Sequence, residues 1–348
     1  MNPYILALLL FALGLGTTIT FASSHWLLAW MGLEINTLAI LPLMAQHHHP
    51  RAVEATTKYF LTQATAAATL LFASTTNAWL TGQWDIQLMT HPVPTTMIIL
   101  ALSLKIGLAP LHTWLPEVLQ GLDLTTGLLL STWQKLAPFA LLLQAPLHSQ
   151  GILIVLALAS TLIGGWGGLN QTQLRKILAY SSIAHLGWML LVVQFAPSLT
   201  LLALATYLAM TSAAFLALKL NTATTINSLG TAWANAPAIT ALLPMVLLSL
   251  GGLPPLSGFL PKWLILQELA KQGLPLTATL AALTALLSLY FYLRLSYAMT
   301  LTVSPNNLAG AASWRLSSSQ LVVPLAAATA ASSLLLPLAP ALTSALSL

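Results

Sequence analysis

The sequence predicts an all-α polytopic membrane protein, and three observations carry that expectation. Of its 348 residues 57% are hydrophobic and only 5% charged, with a mean hydropathy of +0.86, whereas a water-soluble domain carries about a quarter charged residues. Apolar runs of about 20 residues, the length a helix needs to cross the hydrocarbon core, follow one another along the chain. Two of these runs are interrupted by matching Gly/Pro clusters. A lipid-facing helix would not keep them, since proline removes backbone donors and frees carbonyls that must find other partners.

Taken in order, the runs read as about eleven spans. The first, near 3–22, follows Met1-Asn2-Pro3-Tyr4 with no basic region, cleavage site or Arg-rich presequence, so it is expected to remain as a span. The second, near 26–45, carries Glu34 at mid-depth. The third, near 53–80, is long enough to tilt or kink and opens with Glu54 and Lys58, spaced for an intrahelical i, i+4 pair. The fourth, near 94–120, holds Lys105 and the first Gly/Pro cluster; the fifth, near 124–145, holds Lys135 followed by Pro138. The sixth, near 151–168, ends in a run of four glycines around Trp166, which suits close helix packing and lacks the strand context of a dinucleotide loop. The seventh, near 174–195, carries His185, and the eighth, near 198–220, ends on Lys219, placed to snorkel to the interface. The ninth, near 238–269, contains the second cluster and Lys262; the tenth and eleventh lie near 275–300 and 320–345.

If the spans alternate, the N-terminus and the loops at 46–52, 169–175 and 301–319 share a side. That side collects Arg51, Lys58, Arg175, Lys176, Arg294 and Arg315, against little beyond Lys271 opposite. The positive-inside rule then puts the N-terminus on the side of synthesis and, with an odd count, the C-terminus across the membrane. The sequon at Asn170 falls on the side of synthesis and is expected to be unused.

The two clusters are copies of one another: GLAPLHTWLP at 107–116 recurs as GLPPLSGFLP at 252–261. The clusters fall in the fourth and ninth spans, and an odd spacing of five inverts topology, so the pattern predicts an inverted-repeat transporter with its site at the breaks. Within a single membrane domain, 1–348, the first repeat covers approximately 1–147 and the second approximately 150–300, with a C-terminal helix at 320–345.

An ionisable side chain at bilayer depth costs about 2.5–3.5 kcal/mol on insertion scales and is usually retained for an ion path or a counter-ion. Glu34 has no cation within one helical turn, so its partner must come from elsewhere in the fold, and Lys105 lies at comparable depth. A buried pair with a purely structural role is the plainer alternative. Lys135 and Lys262 are the other deep lysines, with snorkelling as the plainer account of Lys262. His112, inside the first break, and His185, beside Ser181 and Ser182, are candidate proton relays; a hydrogen-bonded core histidine explains His185 equally well.

Other function classes recede. The net charge of +5 reflects a scarcity of acids, 6 against 11 basic residues, and gives no reason to expect a nucleic-acid partner. The absence of cysteine excludes disulfides, thiolate iron–sulfur ligation and cysteine nucleophiles in this chain. His47-His48-His49 sits in a short loop without an acidic companion and reads as a loop, leaving no metal site to expect.

Several stretches carry a family resemblance: Gly32-Leu33-Glu34-Ile35-Asn36, Lys58-Tyr59-Phe60-Leu61-Thr62-Gln63-Ala64, Trp133-Gln134-Lys135-Leu136-Ala137-Pro138, residues 167–182 and residues 250–263. Through them the chain resembles the subunit-2 family of the proton-translocating NADH:ubiquinone oxidoreductase, respiratory complex I, in its animal mitochondrial form, and more distantly the Mrp-type cation/proton antiporter subunits. The resemblance implies two inverted five-helix repeats, each with a discontinuous helix, and places Glu34, Lys105, Lys135 and Lys262 at the family's charged positions along a mid-membrane polar axis. It also implies the mitochondrial inner membrane, with the N-terminus in the matrix and the C-terminus in the intermembrane space. Other complex I membrane and accessory subunits and lipids, cardiolipin among them, are the implied partners. No cofactor is expected on this chain; NADH, FMN, the iron–sulfur clusters and ubiquinone are expected on other subunits.

The mechanism this implies has the Glu34 carboxylate favouring a charged Lys105 when close and favouring proton release on withdrawal. Lys135 and His185 would carry the proton on, and Lys262 would pass it toward the far side. An Mrp-type sodium/proton antiporter subunit and a non-transporting structural spacer are the alternatives.

Overall fold

Six helices begin on a proline, whose fixed φ and missing N–H suit the first helical turn. The computed structural model describes residues 2–46, 49–146, 150–234, 236–301 and 321–346. His47, His48, Arg315 and nearly all of the 301–319 loop lie outside the described residues. Regular structure among the described residues is helical, apart from two isolated backbone bridges, His25 with Asp85 and Gln173 with Thr225.

In chain order the helices are α1 (Pro3–Ala22), α2 (Trp26–Met44), α3 (Pro50–Thr81), α4 (Pro92–Ile106), α5 (Trp114–Gly121), α6 (Leu124–Ser131), α7 (Trp133–Gln144) and α8 (Gln150–Gly168). They continue with α9 (Leu174–Val192), α10 (Pro197–Leu220), α11 (Ile226–Gly230), α12 (Pro237–Gly251), α13 (Phe259–Lys271), α14 (Pro275–Thr300), α15 (Val322–Leu334) and α16 (Ala339–Leu346). Five of these, α1, α2, α8, α10 and α14, are long and apolar enough to cross a membrane, and α15 with the segment bent 65° from it makes a sixth if the two are one span. The expected fourth, fifth and ninth spans are each divided, into α4 and α5, α6 and α7, and α12 and α13. The expected third and seventh are intact as α3 and α9.

The chain forms two compact units, Met1–Leu156 and Ala157–Leu348. In the first, α2 packs between α1 and α3, α3 meets α4 and α5, and α7 meets α1, α2 and α4. The α1–α2 crossing is tight because Gly16 and Gly32 face it: a Cβ on Gly16 would stand 2.8 Å from the Gly32 carbonyl. In the second unit α9 is buried on all sides from Ser181 to Val192, against α10, α13 and α14. The glycine run that closes α8 packs closely, as expected: a Cβ on Gly164 would lie 2.6 Å from the Ala184 amide, and one on Gly168 2.8 Å from the Phe291 ring. Large apolar side chains such as Phe11, Trp79, Trp166 and Leu283 point outward, as suits a protein whose solvent is lipid.

The two Gly/Pro clusters fold into the same turn. α4 ends where Gly107 takes φ +87°, and the Gly107 and Leu108 amides both donate to the Ser103 carbonyl, each at 2.9 Å. α12 ends where Gly252 takes φ +81°, and the Gly252 and Leu253 amides donate to the Leu248 carbonyl at 3.1 and 3.3 Å. Glycine enters this left-handed region without the steric cost other residues meet.

At Gly258 the returning chain presses on the end of α12, where a Cβ would collide with the Ser249 carbonyl. Gly258→Ala should therefore overpack this turn by about 1–3 kcal/mol or more. The check is the yield of assembled, membrane-extracted protein, which should fall for Gly258→Ala and hold for Gly151→Ala, where a Cβ meets nothing.

Candidate functional site

Neutral polar side chains placed among apolar helices must find partners inside the protein or meet internal water. In the first unit they converge on the lysines. The last turn of α4 places Lys105, 5% exposed, and the first turn of α7 places Lys135, 2% exposed. Both line one cavity with Asn36 of α2, Tyr59 and Gln63 of α3, Trp114 of α5 and Gln134 of α7. It has room for about one water.

Pro138, inside α7, has no amide to offer the Gln134 carbonyl, so the backbone beside Lys135 is also incompletely bonded within its own helix. The Gln134 side-chain amide donates to the Asn36 carbonyl at 3.3 Å, and the Gln63 amide to the Lys105 carbonyl at 3.4 Å. The Lys105 ammonium and the Asn36 side-chain amide have no hydrogen-bond partner among the described residues. Such a set can bind a proton and pass it through water.

Glu34 is half-buried on α2 and forms no ion pair with Lys105. Its carboxylate is near enough to act electrostatically on Lys105 and Tyr59. His112 sits in the loop between α4 and α5, half-exposed, with Nδ1 3.3 Å from the Pro110 carbonyl, and it lines neither lysine cavity. The expected Glu54–Lys58 pair forms at 2.8 Å. Glu117 of α5 joins it at 2.9 Å from the same ammonium.

In the second unit Lys262 of α13 and His185 of α9 line a common cavity with Trp188, Met189, Thr206 and Met210. Lys262 turns back onto the end of α12 and donates to the Gly251 carbonyl at 2.8 Å and the Leu250 carbonyl at 3.5 Å. His185 Nδ1 is 2.7 Å from the Ser181 carbonyl, and its ring lies 5.7 Å from that of Tyr207. Ser249 and Ser257, on either side of the second break, both donate to the Ser332 carbonyl near the end of α15, the first at 2.6 Å.

The structure thus brings Lys105 to Lys135 and His185 to Lys262, and leaves His112 apart. The sequence reading missed Asn36, Tyr59, Gln63, Trp114, Gln134, Ser249 and Ser257 as members of these sites. Their one signal was a polar group inside an apolar run, which does not say where the group points.

These features define a class: a helical membrane protein with ionisable side chains buried beside interrupted helices. The model for the NADH:quinone oxidoreductase/Mrp antiporter transmembrane family matches residues 23–288, and that for the NADH dehydrogenase subunit 2 C-terminus matches residues 289–343. NADH-ubiquinone oxidoreductase chain 2 of Tetraodon nigroviridis is 75% identical over 98% of both chains, and that of Oncorhynchus mykiss 69% identical over 100% of both. Among solved structures, a chain of respiratory complex I from Thermus thermophilus with bound aureothin matches with TM-score 0.79 and 31% identity, over 95% of this chain and 79% of that one. A chain of the Mrp complex from Dietzia sp. shares the fold, with TM-score 0.77 and 20% identity over 86% of this chain and 61% of that one. The chain belongs to the NADH-ubiquinone oxidoreductase chain 2 family.

The shared Ser332 acceptor leads to a prediction. Ser249→Ala and Ser257→Ala should each weaken the attachment of α15 by about 1 kcal/mol, the net worth of one hydrogen bond, and the double variant by more than either. Hydrogen exchange at the end of α15 in the assembled protein should rise in that order.

Proposed function

We propose that this chain is a core membrane-arm subunit of a proton-pumping NADH:ubiquinone oxidoreductase, respiratory complex I, and moves protons with energy released by redox chemistry in other subunits. The observation that carries the reading is the enclosure of ionisable groups in cavities beside interrupted helices, Lys105 with Lys135 in the first unit and Lys262 with His185 in the second. Charges at membrane depth persist where an ion path needs them. Glu34 biases Lys105 electrostatically across the gap between them, and His112 serves as a relay from the water-accessible side of the first break.

The chain crosses the membrane about eleven times, its two halves being inverted repeats with discontinuous helices at 107–116 and 252–261. The repeats cover approximately 1–147 and 150–300, followed by the C-terminal helix near 320–345. It resides in the mitochondrial inner membrane with its N-terminus in the matrix and its C-terminus in the intermembrane space. Other complex I subunits and lipids, including cardiolipin, surround it. NADH, FMN, the iron–sulfur clusters and ubiquinone bind elsewhere in the complex.

A second reading, a sodium/proton antiporter subunit, is favoured by the fold shared with the Mrp complex. It requires sodium; the complex I reading predicts full pumping by purified complex in sodium-free medium. A non-transporting spacer would tolerate neutral residues at the buried charges. Lys105→Met in the assembled complex should lower the number of protons moved per NADH oxidised. An unchanged ratio with normal assembly would remove Lys105 from the path.

A further inference from the structure

Each break leaves carbonyls open at the end of the helix before it, and the two breaks fill them with different donors, sharing only the Lys105/Leu250 position. The chain positions match one for one through the repeated cluster, so Trp114 stands where the second copy has Phe259, and Glu117 where it has Lys262. At the end of α12 the Lys262 ammonium takes the Leu250 and Gly251 carbonyls. The Phe259 side chain, unlike the Trp114 indole, has no N–H to offer. At the end of α4 the Trp114 indole N–H donates to the Leu104 carbonyl at 3.1 Å, and the Gln63 amide reaches across from α3 to the Lys105 carbonyl, the counterpart of the Leu250 carbonyl. Glu117, which cannot donate as a carboxylate, turns to Lys58 instead.

A lysine in the last turn of a helix is drawn to that helix's own open carbonyls, by hydrogen bonding and by the negative end of the helix dipole. Lys105 is such a residue. Its ammonium nevertheless makes no bond to a carbonyl and lines the cavity shared with Lys135. Trp114 and Gln63 line that cavity too, and Trp114 is held in place by the Tyr59 ring, 5.7 Å away, and by Gly107, whose absent Cβ would stand 3.3 Å from the indole.

We infer that Trp114 and Gln63 are positioning residues for Lys105: by filling the carbonyls at the end of α4 they keep its ammonium from capping its own helix and leave it free toward the cavity and Lys135. The inference rests on the proposed proton-carrying role of Lys105. It makes the first break a site that holds its lysine loose and the second a site that holds its lysine bound.

The test compares Trp114→Phe, Gln63→Met and the double variant with Lys105→Met in the assembled, membrane-embedded complex, reading proton-coupled turnover and the position of the Lys105 side chain by electron cryo-microscopy. Trp114→Phe removes only the N–H donor and installs the residue found at the matching place in the second copy, so the ring packing is kept; Gln63→Met keeps the length of the side chain. In the double variant the Lys105 ammonium should lie within hydrogen-bond distance of the Leu104 or Lys105 carbonyl, and coupled turnover should fall about fivefold, the worth of one net hydrogen bond. Lys105 unmoved and turnover retained, with Lys105→Met impaired, would overturn the positioning role and leave the proton-carrying role intact. Normal pumping by Lys105→Met would overturn the proton-carrying role itself. Should the double variant not assemble, the same two readouts on Trp114→Phe alone decide the matter.

Discussion

A carbonyl group freed inside a membrane protein has no bulk water to turn to, and it must find a donor within the fold or an enclosed water. Most of what distinguishes this chain follows from that demand at two places, the ends of α4 and α12. The Gly107 and Gly252 turns satisfy the first open carbonyl of each helix through paired backbone amides. At α12 the Gly252 amide also reaches the Ser249 carbonyl; other carbonyls take side chains, and those recruited are polar residues of the chain's interior: Trp114, Gln63 and Lys262. Ser249 and Ser257, which flank the second break, are bound to the Ser332 carbonyl, so the C-terminal helix is tied to the same turn.

The two halves share a frame and differ in its occupants. A single exchange, an acid at 117 for a base at 262, sends one side chain out to the exposed Lys58 cluster and the other back onto its own break. A second exchange, indole for phenyl, supplies an N–H where the first half has no nearby ammonium committed to capping. Each break thus takes one donor from the segment that follows it, Trp114 on the Leu104 carbonyl in the first and Lys262 on the Leu250 and Gly251 carbonyls in the second. The same turn, built twice from a copied sequence, can then carry lysines in different settings.

The breaks themselves were legible in the sequence, because Gly and Pro dictate backbone conformation locally and the copy at 252–261 repeats them. Mid-depth charges were legible too, since composition makes each one conspicuous. The partners were not. Whether Gln63 points to Lys105 or to lipid depends on the rotation of α3, and whether Trp114 reaches Leu104 depends on how the chain re-enters a helix after the break. The span count was harder to read for a related reason: hydropathy sees 94–120 and 238–269 as continuous apolar runs, while the fold divides each into two short helices that do not individually match the thickness of a bilayer. Glu34 shows the opposite limit. The sequence expects it at the depth of Lys105, yet no direct ion pair forms between the two, and its effect on Lys105 is through the longer-range field.

The helix ends also set the backbone field at each of the lysines. Lys105 lies in the last turn of α4 and the Lys262 ammonium rests on the last carbonyls of α12, so both sit at the negative ends of helix dipoles, where a cation is favoured. Lys135 has the opposite setting, in the first turn of α7, immediately after the short α6 has ended. Three ammonium groups, those of Lys105 and Lys135 buried and that of Lys262 half-buried, therefore face three different backbone fields: one at a capped end and unattached, one at an end it caps itself, and one at a helix start. Groups held in unequal fields do not bind a proton equally under the same conditions.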